Sequence, residues 1–74
     1  MNYIEVINKI NEELTINGVK TIYTLIANDI DIDVIENLIE KNTREYNNLT
    51  DNEKEDLIKY LKGLRLEGKL LSIF

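Results

Sequence analysis

The chain contains no cysteine and no histidine. Without cysteine there are no disulfides, no thiolate metal sites and no thiol nucleophiles, and nothing about redox compartment can be read from this residue. Without histidine the commonest general base is gone, together with the Ser-His and Cys-His pairings and the imidazole ligand that most zinc sites use. An enzyme built on this sequence would have to run on Asp, Glu, Lys or Tyr alone. Carboxylates are plentiful, but nothing in their spacing sets two apart as acid and base, and no phosphate loop, nucleophile elbow or metal triad occurs. Three glycines are too few for a phosphate cradle. The expectation is a protein that is not an enzyme and carries no cofactor.

Other absences narrow the class further. No run of about 20 apolar residues is present to span a membrane, and "MNYIEVINKINEEL" lacks the basic start and apolar core of a secretion signal, so a cytoplasmic location is expected. With no Trp and a single Phe beside four Tyr, the core must be mostly aliphatic. Proline is also missing, and twelve Ile, ten Asn and seven Lys against two Arg suggest an A- and T-rich coding sequence, as in a low-GC bacterium, its phages or other mobile elements.

What is present is globular. Hydrophobic residues make up 43% and charged residues 31%, too apolar for a disordered chain. Seventy-four residues form one domain, 1–74, which buries only a little over half of the surface exposed by the unfolded chain.

Periodicity assigns the elements. Tyr3, Ile7, Ile10 and Leu14 recur at helical spacing, with Ile4 and Val6 widening the stripe, and the helix should stop near "TING". "NGVKTIYTLIAND" carries both a hairpin dipeptide and strand-favouring residues, yet Val19, Ile22, Tyr23 and Ile26 keep helical phase, and the reading favours a helix over 18–28 with Asn17 as N-cap. A third helix buries Val34, Ile35, Leu38 and Ile39, with Asn42 and Tyr46 extending that face. "TDNE" at residues 50–53 is a capping box, so a fourth helix begins at Asp51 and buries Leu57, Ile58, Leu61 and Leu64. Gly68 is placed to end it, with "KLLSIF" folding back; the alternative ends it at Gly63 and makes residues 64–74 a short hairpin. The fold class is all-α, a small bundle of about four short helices.

One stretch resembles a site for chemistry. "DIDIDVIENLIE", residues 29–40, places Asp29, Asp31, Asp33, Ile35, Asn37 and Glu40 at positions 1, 3, 5, 7, 9 and 12 of an EF-hand calcium loop. The resemblance covers twelve residues and rests on carboxylate spacing alone. Position 6, which must turn sharply, is Val34, whose β-branched side chain makes positive φ costly. Position 8 holds Glu36, and the helical phase of Val34, Ile35, Leu38 and Ile39 already runs through the second half of the window. Capping explains the same residues: Asp31 or Asp33 starts a helix, Glu36 completes a capping box with Asp33, and Ile30 staples against Ile35. No metal is therefore expected.

Charge is segregated along the chain. Residues 1–58 carry five Lys or Arg against thirteen Asp or Glu, a net of −8, whereas residues 59–74 carry four against one, a net of +3. The basic end, Lys59, Lys62, Arg65 and Lys69, forms a rough helical stripe able to touch phosphates, although cations near a helix C-terminus also serve its dipole. The acidic body, with Asp29, Asp31, Asp33, Glu36, Glu40, Glu45, Asp51, Glu53, Glu55 and Asp56, repels nucleic acid and attracts basic protein grooves. These features point to an acidic protein-interaction module, a regulator or inhibitor docking on a basic partner such as nucleic-acid-binding machinery, through Asp29, Asp31, Asp33, Glu36, Glu40, Asp51 and Glu55. The rival is a helix-turn-helix-like DNA-binding regulator using the basic stripe, although "YTLIANDIDIDVIENLIE" would present an acidic second helix. The Leu57 face or "LLSIF" offers a surface for homodimerisation.

Overall fold

A computed structural model describes the backbone of residues 1–73 and the side chains of residues 1–68. Four helices follow in order: α1 (Tyr3–Ile16), α2 (Ile22–Ala27), α3 (Ile32–Asn42) and α4 (Asp51–Ile73). There is no strand among the described residues. The all-α reading therefore holds, and no described helix is long and apolar enough to cross a membrane.

The helices pack as their apolar stripes require. α3 lies centrally against α1, α2 and α4, and α2 also meets α4. Ile7, Ile10 and Leu14 of α1, Ile22 and Leu25 of α2, Ile32, Ile35 and Ile39 of α3, and Leu57 and Leu61 of α4 form one buried cluster. At the other end of α1, Tyr3 stacks on Tyr60 of α4 with ring centres 4.7 Å apart and planes 6° from parallel. Ile58 and Leu64 are half-buried at the cluster's edge.

Several boundaries differ from expectation, each for a local reason. α2 begins at Ile22, because Asn17 and Gly18 close α1 instead of opening a new helix. Gly18 adopts φ +76°, its amide donates to Thr15 O at 3.1 Å, and the Val19 amide donates to Leu14 O at 2.8 Å. This is a Schellman ending, and the strand-favouring residues after Gly18 are spent on an extended connection. Thr21 then caps α2, accepting from the Thr24 amide at 3.3 Å. Ile4 stands 60% exposed and Val34 47% exposed, so neither widens the core, while Ile32 takes the buried position that Val34 was expected to fill.

α3 stops at Asn42 rather than running toward Tyr46. Thr43 is extended, its hydroxyl donates back to Ile39 O at 2.8 Å, and a turn over 44–49 swings Tyr46 into the core from outside the helix. α4 opens on the expected capping box: Thr50 Oγ1 accepts from the Glu53 amide at 3.2 Å, and Glu53 Oε1 accepts from the Thr50 amide at 2.9 Å. Neither Gly63 nor Gly68 ends it. Each glycine costs a helix about 1 kcal/mol, and the Leu, Lys, Glu and Arg residues around them are good helix formers that carry the backbone through. The fold-back and the hairpin are thus both replaced by continuous helix.

Candidate protein interface

The acidic window divides at the start of α3. Asp29 is the only non-glycine residue at positive φ among those described, at +62°. Its amide donates to Ile26 O at 3.0 Å and the Ile30 amide donates to Leu25 O at 3.1 Å, so Asp29 occupies the left-handed position of a second Schellman ending, where glycine is usual. Asp31 is the N-cap of α3 by position but makes no side-chain capping bond. Asp33 lies in the first turn, beside the positive end of the helix dipole. Ile30 and Ile35 take the two staple positions, Ile35 within the core cluster and Ile30 packed against it.

Since α3 starts at Ile32, the EF-hand positions from Asp33 to Glu40 lie on helix and cannot wrap one ion. Among the described residues no three acids converge on a common metal position. The expected capping box of Asp33 with Glu36 does not form either, because the N-cap is Asp31 and Asp33 is already inside the helix; Glu36 Oε2 instead accepts from the Tyr46 hydroxyl at 2.8 Å.

That bond fixes the floor of a groove between α3 and α4. Spacings of three and four keep Asp33, Glu36 and Glu40 on one face of α3. Glu36 and Glu40 form one wall of an open depression of about 420 Å³; Asp51, Lys54, Glu55, Lys59 and Lys62 line the opposite side, with Tyr46 and Ile58 below. Tyr46 is almost fully buried, and Lys54 Nζ covers its ring at 5.6 Å from the centroid. Burial first, then the bond to Glu36 and the charges of Glu36 and Glu40, push the Tyr46 hydroxyl well above the ordinary tyrosine range. The hydroxyl is therefore a fixed donor that orients the Glu36 carboxylate.

The four acids lining this groove share it with Lys54, Lys59 and Lys62 but form no ion pair within 4 Å among the described residues. Among the described residues the ion pair within 4 Å is Lys9 with Glu5 at 3.7 Å, on α1. Glu40, Asp51 and Glu55 are exposed and free to meet a partner. Of the seven acids expected to form a binding surface, the fold brings Glu36, Glu40, Asp51 and Glu55 together. Asp29 and Asp31 stay at the α2–α3 corner, connected to the groove along α3 by Asp33.

No protein-family model, curated protein sequence or solved structure matches the chain.

The basic stripe is broken up. Lys59 and Lys62 are exposed on the groove wall, whereas Arg65 turns inward and donates from Nη2 to Ile30 O, pinning α4 to the α2–α3 corner. The side chain of Lys69 lies outside the described residues.

Two polar ties escaped sequence reasoning. The Glu13 carboxylate on α1 accepts from the Arg44 amide (3.0 and 3.2 Å to its two oxygens) and from the Glu45 amide at 3.0 Å, holding the turn that delivers Tyr46. Asn11 Oδ1 accepts from the Ile22 amide at 2.9 Å, satisfying a donor at the start of α2. Residue type alone does not separate these residues from the neighbouring Glu12 and Asn8, which are exposed. The available signal is position: both Asn11 and Glu13 flank the buried stripe rather than opposing it.

Proposed function

We propose that the protein is a non-catalytic cytoplasmic interaction module, a regulator or inhibitor that docks its acidic α3–α4 edge on a basic surface of a partner protein. The supporting observation is that Glu36 and Glu40 on α3 meet Asp51 and Glu55 across the groove with no ion pair within 4 Å among the described residues, while Asp33 continues the acidic face of α3 beyond it. Carboxylates held on helices and outside any ion pair within 4 Å among the described residues give a partner's Lys and Arg groups fixed targets, favouring salt-sensitive association. Lys59 and Lys62 on the same rim add selectivity, since a partner must also place neutral or acidic groups opposite them.

The test is comparative capture. Immobilised wild-type chain and a Glu40→Gln, Asp51→Asn, Glu55→Gln variant are exposed to the same native-host extract, with Glu5→Gln, Glu12→Gln as a control on another face. The proposal expects a basic protein retained by wild type and control and lost from the groove variant, with retention falling as salt is raised. Equal retention by all three baits would remove its basis. DNA binding is the contrasting outcome: a low-salt mobility shift with mixed DNA that disappears on changing Lys59 and Lys62 to Ala would put nucleic acid in place of the protein partner.

A further inference from the structure

We infer that the Asn17–Gly18 step is a covalent modification site, at which loss of the Asn17 side-chain amide unlatches α1 from α3. It is the single Asn-Gly dipeptide in the chain. Glycine leaves its own backbone nitrogen unshielded and its backbone free to rotate, which makes the bond after such an asparagine the one most open to internal attack.

The chemistry needs only water. The Gly18 backbone nitrogen attacks Asn17 Cγ; an N–Cγ bond forms, the Cγ–Nδ2 bond breaks, and the Gly18 amide proton leaves with Nδ2 as ammonia. Water then opens the resulting five-membered imide at either carbonyl, leaving aspartate or isoaspartate in place of asparagine. Nothing is oxidised or reduced.

The fold holds both reacting groups out of use. The nucleophile, Gly18 N–H, donates to Thr15 O at 3.1 Å within the Schellman turn. The leaving group, Asn17 Nδ2, donates to Glu13 O at 3.0 Å and to Asn42 O at 2.7 Å. Attack requires all three bonds to break, which means opening the joint between the ends of α1 and α3. The native state therefore protects a bond that its own opening exposes.

The product cannot re-form the latch. Asn17 caps the end of α1 and Asn42 is the last residue of α3, so the side-chain amide supplies donors to carbonyls at two helix C-termini. A carboxylate in that place has no proton to give and sets a negative charge against the negative ends of two helix dipoles. Isoaspartate also lengthens the backbone inside the turn. Each conversion shifts the molecule toward the open joint, so the step acts as a one-way loosening of the α1–α3 contact. The site lies apart from the α3–α4 groove and does not depend on the docking proposal.

The test follows the conversion by peptide mass spectrometry at mildly alkaline pH, on the full chain, native and in urea. Conversion at Asn17 is expected to be about tenfold or more slower in the native protein than in urea. Thermal melts of converted protein, Asn17→Asp and Asn17→Ala follow. Converted protein and Asn17→Asp should melt below Asn17→Ala, because alanine only removes donors whereas the acid adds repulsion. If Asn17→Asp does not fold, the melt of partly converted wild type carries the same comparison. Equal conversion rates in both conditions, or melting of the converted protein with the unconverted, would overturn the inference.

Discussion

Asp29 pays a conformational cost that its side chain does not recover. It sits at φ +62° where α2 ends, and among the described residues no hydrogen bond of its carboxylate accompanies that strain. Asp29→Gly should therefore stabilise the fold by roughly 0.5–1 kcal/mol, since glycine enters the left-handed region without a Cβ penalty. Chemical denaturation reads this directly, and a lower midpoint would mean that the carboxylate has a structural role beyond the turn. Tyr46 gives a second test at the same scale. Its folded pKa is raised and its unfolded value is near 10, so its contribution is complete below about pH 10 and is lost as pH rises further. Melting temperatures measured up the alkaline range should fall for wild type and fall less for Tyr46→Phe, which cannot ionise. Parallel curves would show that the hydroxyl is not held by burial and Glu36.

At the scale of elements, local caps and Schellman turns close most helix ends, and three side chains from elsewhere in the chain add ties. Asn11 reaches the start of α2, Asn17 the end of α3, and Glu13 the turn at 44–45. Glu13→Ala removes a charged acceptor from two backbone amides at once and should cost about 1–2 kcal/mol, tempered by the exposure of Arg44. The loss is predicted to appear in hydrogen exchange as faster amides at 44–46 before any change in α1, and uniform loss across the chain would contradict the local tie. The same elements show what sequence made legible. The four helices, the capping box at Thr50 and the buried positions Ile7, Ile10, Leu14, Ile35, Ile39, Leu57 and Leu61 followed from period and caps. Element ends were harder. Asn17-Gly18 can open a helix, turn a hairpin or close a helix, and only the packing of Val19 and the reach of Asn17 to Asn42 select the last. Gly63 and Gly68 read as stops because propensity is local, while helix continuation draws on a whole turn on each side.

Over the whole molecule, the acidity becomes a surface with two parts. The window at 29–40 spends Asp29 and Asp31 on chain geometry and leaves Asp33, Glu36 and Glu40 on one helical face. α4 then brings Asp51 and Glu55 opposite them, a juxtaposition that linear spacing does not reveal. Charge segregation was visible in the sequence, but its meaning changed once Arg65 turned inward to Ile30 and left Lys59 and Lys62 on the groove's rim. Partner contact is proposed to run through the groove acids. Zero-length carbodiimide cross-linking of the captured complex, read by mass spectrometry, tests it most directly. Links from Glu40, Asp51 and Glu55 to lysines of the partner are expected. Links running only from Lys59 and Lys62 to partner carboxylates, or only from acids outside the groove, would contradict it.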